Sequence, residues 1–159
     1  MQTKTKILPP ELLLEEYRVL LWEDDAIESL PLVITGGSMS PFLIGGRDTV
    51  YLSRPTGPIR RGDAVLYRRN TGQYVFHRVY RVSGEGLTMV GDAQTVLEPG
   101  IQPDQIIAIM TSAQRKGKTL SPGNFWWDFF EKIWIRMIPI RRPVCHIYTF
   151  IRKFLCKRQ

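Results

Sequence analysis

Between about residues 31 and 114 the chain reads as a series of short strands, and no other feature limits its fold as strongly. Leu32–Thr35, Thr49–Ser53, Ala64–Arg68, Tyr74–Val82, Leu87–Val90 and Ile106–Thr111 carry β-branched or aromatic residues. Gly, Pro and Asp punctuation separates them. Short strands at this spacing predict a mainly β body, a compact sheet or barrel. There is no internal repeat.

Helical patterns flank that body. Pro9-Pro10 stand where a helix start tolerates proline. After them Leu13, Leu14, Tyr17, Leu20 and Leu21 share one face, while Glu15, Glu16, Arg18, Asp24 and Asp25 point elsewhere. An amphipathic helix is expected within residues 1–30, too short a segment for a three-helix DNA-binding domain. Downstream, Ser121-Pro122-Gly123-Asn124 is a turn and cap cluster. Trp126, Phe129, Phe130, Ile133, Trp134, Met137 and Ile138 then recur at helical spacing. Past Pro139 and Pro143, a second stripe comprises Val144, Ile147, Tyr148, Ile151, Phe154 and Leu155, backed by Arg152, Lys153, Lys157 and Arg158. The expected organisation is a helical segment over 1–30, a β body over 31–114 and an amphipathic helical tail over 121–159.

Charge is unevenly placed along the 159 residues. Residues 1–120 hold 14 Lys and Arg against 13 Asp and Glu, whereas residues 121–159 hold 8 against 2. The basic character therefore belongs to the tail, and the body is not expected to bind nucleic acid. Nine of the 17 aromatic residues also lie in the tail. Three readings stay open for it: packing on the body, docking a partner, or lying on an anionic membrane surface as an interfacial helix. On the membrane reading, a body without residues 121–159 is expected to remain folded and active.

No apolar run is long enough to span a bilayer, and the N-terminal residues lack the core and cleavage site of a secretory signal. A cytoplasmic or peripherally membrane-associated protein is expected. Cys145 and Cys156 make no disulfide framework and are expected to be reduced thiols; with His146 they fit no zinc spacing. No metal or organic cofactor is implied.

The most informative stretch is Gly36-Gly37-Ser38-Met39-Ser40-Pro41. Two glycines before a serine suit a tight turn whose backbone approaches a substrate, and Met39 supplies an apolar anchor. Forty residues on, His77 is the only histidine of the body, in the strand Phe76-His77-Arg78-Val79. A serine hydroxyl needs a base to become a nucleophile near neutral pH, and imidazole has a suitable pKa, ordinarily about 6–7. No lysine lies between Lys6 and Lys116, so the body cannot supply a lysine base from its own strands. Two Gly-Asp turns, at Gly62-Asp63 and Gly91-Asp92, offer carboxylates. Asp63 reads as a turn cap, whereas Asp92 is able to hold the imidazole tautomer.

The order Gly-x-Ser-Met-x-Pro, Arg61-Gly62-Asp63-x-Val65, His77-Arg78-Val79, Gly91-Asp92-Ala93 and the strand at Ile106–Met110 resembles the type I signal peptidase and LexA-like serine peptidase superfamily. The resemblance covers roughly residues 30–112. It implies a mostly β fold, Ser38 as nucleophile and His77 as base, as in the histidine-base members similar to the endoplasmic-reticulum and archaeal enzymes. It implies Asp92 as the third member, with Glu98 as the alternative acid. Members usually carry serine two positions before the nucleophile; here that position is Gly36, so the oxyanion would depend on backbone amides in the Gly36-Gly37-Ser38-Met39 turn. The N-terminal membrane span usual among signal peptidases is not expected in residues 1–30 either. The expected activity is hydrolysis of a peptide, leader or precursor. A LexA-like self-cleaving regulator and a non-catalytic adaptor on the same fold are the alternatives.

Overall fold

The computed structural model describes residues 10–24 and 26–156. Pro9, Asp25, Lys157 and Arg158 lie outside the described residues, as do the side chains of Leu13, Arg152, Phe154, Leu155 and Cys156. The chain opens with helix α1 (Pro10–Glu23). Eight strands follow: β1 (Leu30–Val33), β2 (Thr49–Ser53), β3 (Ala64–Arg68), β4 (Tyr74–Ser83), β5 (Gly86–Val90), β6 (Glu98–Ile101), β7 (Ile106–Arg115) and β8 (Lys118–Leu120). The C-terminal part comprises a short helix α2 (Phe125–Asp128), a π turn at Phe129–Ile133, a 3-10 turn at Trp134–Arg136 and helix α3 (Ile138–Cys156). The fold is mainly β, with helices at both ends.

All eight strands form one sheet, in the order β1-β2-β7-β3-β4-β5-β6, with β8 paired to β7. Every pairing is antiparallel. Central strand β3 is buried on both faces, because successive residues point to opposite sides. Ala64 and Leu66 enter the larger core, which also takes Met39, Phe42, Leu43, Val50 and Leu52. Val65 and Tyr67 enter a smaller core with Val79, Leu87, Met89 and Ile101. The pairing of β3 with β7 shifts register between Leu66 and Tyr67.

The aromatic tail is not a separate layer. Trp127, Phe130 and Trp134 are buried members of the larger core. The Phe42 ring stacks on Phe130 at 4.8 Å and meets Trp127 edge-on at 6.2 Å. Asn124 caps α2 by accepting from the Trp126 amide. The helical spacing of these aromatics is thus a core stripe, although Phe125, Trp126 and Ile133 stay exposed. The expectation that the body stands without residues 121–159 conflicts with this packing, since removing them would strip three large side chains from the core.

Candidate active site

Ser38 lies on the loop between β1 and β2, and its position is fixed from two directions. On its C-terminal side, Met39 is buried in the larger core and the Leu43 amide donates to the Met39 carbonyl at 2.9 Å. On its other side, the Ser38 carbonyl accepts from the Ala93 amide at 2.8 Å. The turn Gly91–Gln94 approaches so closely that a Cβ on Gly91 would lie 2.6 Å from that carbonyl oxygen. Gly36 has φ +73°, the left-handed region where a serine would be strained. That conformation accounts for glycine at a position where the resemblance leads one to expect serine. Among the described residues, nothing hydrogen-bonds to the Ser38 hydroxyl or accepts from the Ser38 amide.

Ser38 and His77 line the same cleft, a space of about 500 Å³. Leu32, Ile34, Leu66 and Val75 give it apolar walls, and Arg69 and Gln73 add polar groups. Edge strand β1 contributes Leu32 and Val33, and α1 contributes Leu14. Helix α1 is held there by hydrogen bonds from Tyr17 to the Pro31 carbonyl and from Tyr74 to Glu15. No hydrogen bond joins Ser38 to His77 among the described residues. Catalytic contacts in unliganded sites are often open and tighten on substrate binding.

His77 sits in β4 opposite Val65 of β3 and is buried. Its Nδ1 faces the Tyr67 hydroxyl at 3.4 Å. Tyr67 in turn donates to Glu98 Oε2 at 2.8 Å. Arg69 clamps Glu98 with Nε to Oε1 at 2.5 Å and Nη2 to Oε2 at 2.6 Å. The Tyr67 hydroxyl has one proton, and Glu98 takes it. The phenol oxygen is left as an acceptor toward His77, which requires the proton of a neutral imidazole on Nδ1. Nε2 then carries the free lone pair that a general base needs. Burial pushes the His77 pKa down to about 4, against the opposing pull of Glu98; Arg69 lowers it further and Asp92 raises it. The imidazole is therefore neutral well below the 6–7 range expected of it from the residue type alone. Arg69 and Tyr67 hold the Glu98 carboxyl below its ordinary range. Burial and Glu98 push the Tyr67 hydroxyl up, so it stays protonated.

Asp92 is placed differently. It is fully buried, and its two oxygens accept from Nε and Nη2 of Arg78, each at 3.0 Å. Arg78 also donates to the Gly62 carbonyl at 2.7 Å. The Asp92 carbonyl accepts from Trp134 Nε1 at 2.8 Å. Arg141 of α3, also buried, donates to the carbonyls of Gly91 and Gln94 at 2.9 and 3.0 Å. Asp92 thus reaches His77 only through its field, while Glu98 reaches it through Tyr67. Asp63 accepts from the Arg60 amide at 2.7 Å, the turn-capping role anticipated for it.

Tyr67 and Arg69 are site residues that sequence reasoning passed over. Tyr67 stands on the strand beside the His77 strand and Arg69 just past its end, but only the pairing register reveals that Tyr67 reaches back to the imidazole. Among the described residues no three His, Cys, Asp or Glu side chains are grouped to hold a metal ion. No helix among them is long and apolar enough to cross a membrane. No family model matches the chain, and neither a curated protein nor a solved structure is significantly similar to it.

A hydroxyl, a neutral imidazole with its basic nitrogen free, and an unengaged backbone amide can together perform nucleophilic acyl transfer.

Proposed function

We propose that the chain is a serine endopeptidase related to the signal peptidase and LexA-like superfamily, with Ser38 as nucleophile and His77 as general base. The observation that carries this reading is the meeting of Ser38 and His77, from separate elements, on one cleft. The polar chain His77–Tyr67–Glu98–Arg69 behind the imidazole supports it.

Ser38 Oγ attacks the scissile carbonyl carbon as His77 Nε2 takes its proton. The developing oxyanion turns toward the Ser38 amide. The intermediate collapses as the imidazolium returns that proton to the leaving amine, which departs and leaves an acyl-serine. Water, deprotonated by the same nitrogen, hydrolyses the ester and regenerates Ser38. Tyr67 and Glu98 steady the Nδ1 proton throughout. The substrate is a peptide in extended form, because edge strand β1 borders the cleft and can pair with one.

An acylating fluorophosphonate probe tests the reading. Mass spectrometry should locate the adduct on Ser38, and His77→Ala should suppress it with the fold intact by circular dichroism. Equal labelling of His77→Ala would overturn the dyad. The missing hydrogen bond between Ser38 and His77 favours one competitor, a non-catalytic adaptor. A chain that takes no label at any pH would belong to that class.

A further inference from the structure

Helix α3 has three unlike sides. One is docked on the protein: Arg141 is buried and Cys145 packs against the larger core, with Val144 packed there at the border of the next side. At 100° per residue, Ile140, Ile147 and Ile151 fall within about 40° of one another, and about 100° of rotation separates Ile140 from Arg141. These side chains are 44, 60 and 51% exposed, and nearby Phe150 is 71% exposed. The remaining side presents Arg142, His146 and Lys153 to solvent. From Lys132 to Gln159 the sequence contains eight Lys and Arg and no acidic residue.

We propose that this face of α3 rests on an anionic lipid surface. Exposed isoleucines and a phenylalanine beside a polar side that carries Arg142 and Lys153 and no acidic residue form the pattern of a helix lying in the plane of the headgroups. A second copy of the chain is a poor occupant, because pairing two such faces would bring like charges together. Insertion across the bilayer is not open to α3, which is too polar to span it. The helix would be presented rigidly, because Arg141 ties it to the turn that also supports Ser38.

The test is co-sedimentation of the full chain with phosphatidylcholine vesicles, with and without phosphatidylglycerol. Binding should require the anionic lipid and weaken as salt rises. Lys153→Gln should reduce partitioning about fivefold, the effect of one cation near an acidic surface. Ile147→Ser/Phe150→Ser should reduce it at least tenfold, with an unchanged circular dichroism spectrum. Ser38→Ala should bind like the parent, which separates this result from the peptidase reading. Undiminished binding of the Ile147/Phe150 variant would overturn the proposal. So would equal binding to neutral vesicles, or a lipid-free dimer that the same variant dissolves.

Discussion

Asp92 and Glu98 have opposite energetic standing, and substitution at each should reveal it. Asp92→Ala deprives Arg78 of both carboxylate acceptors, and that guanidinium's side chain is only 2% exposed. Asp92 is also the acidic group that acts on buried Arg141. Breaking a buried pair from one side leaves an uncompensated charge and costs about 3–5 kcal/mol. A domain's whole stability is about 5–15 kcal/mol, so the lesion is severe. The Arg69–Glu98 pair is 30 and 27% exposed in its side chains. Pairs in contact with water are worth about 0–1 kcal/mol, so Glu98→Gln should be mild in stability. Urea unfolding of the full chain at neutral pH, beside the rate of Ser38 labelling, separates the two. Asp92→Ala should lose several kcal/mol, and Arg78→Leu/Asp92→Leu should recover part of it because no charge remains buried. Glu98→Gln should unfold near the parent yet label more slowly. If Asp92→Ala keeps the parent's stability to within about 1 kcal/mol while labelling stops, Asp92 serves His77 and the scaffold assignment fails.

Three further outcomes are expected. The acid limb of kcat/KM should fall near pH 4, because protonated His77 cannot accept the Ser38 proton; Glu98→Gln should move the limb lower, since Glu98 raises that pKa. A limb at 6–7 would refute the burial argument. Stability should also fall as pH drops from the unfolded imidazole value of 6.5 toward the folded value of about 4, because the unfolded chain takes the proton first. The His77 contribution to that loss is about 3 kcal/mol, and parallel unfolding curves of His77→Gln, which lacks this slope, isolate it. Deleting residues 121–159 should unfold the body by circular dichroism, because removing buried aromatics costs about 3–5 kcal/mol each and three are lost with Trp127, Phe130 and Trp134.

The strands that were legible are those whose alternation and β-branching act locally: Thr49–Ser53 and Ala64–Arg68 match the expected spans. β6 was hidden because Glu98-Pro99-Gly100 carries turn chemistry, and such residues are accommodated at the sheet edge where β6 lies. β8 is three residues long and gives no periodicity to read. Ser38 and His77 stood out through residue type and order. The relay behind the imidazole did not, because it depends on cross-strand register, and a one-residue slip would turn Tyr67 to the other face. The tail's aromatic spacing was visible, but spacing alone cannot separate a stripe facing the core from one facing lipid. The structure divides it: Trp127, Phe130 and Trp134 face inward, while Phe125 and Trp126 do not.

The Gly91–Gln94 turn joins these parts physically. Its Ala93 amide holds the Ser38 carbonyl, its Asp92 carboxylate neutralises Arg78, and its carbonyls receive Trp134 and Arg141 from the tail. Every one of those partners is buried except Ser38, which is half-buried at the cleft. A Gly-Asp pair is well suited to the position: glycine permits the close approach to Ser38, and the carboxylate supplies a buried negative charge beside the guanidinium groups of Arg78 and Arg141. The same two residues would look identical in sequence if Asp92 oriented His77 directly. What distinguishes the roles is where the cation stands, and here Arg78, the residue immediately after His77, turns into the core while Tyr67 and Glu98 attend the imidazole. The strand thus sends its histidine toward the cleft and its arginine toward the scaffold: Arg78 meets Asp92 directly, and His77 meets Glu98 through Tyr67.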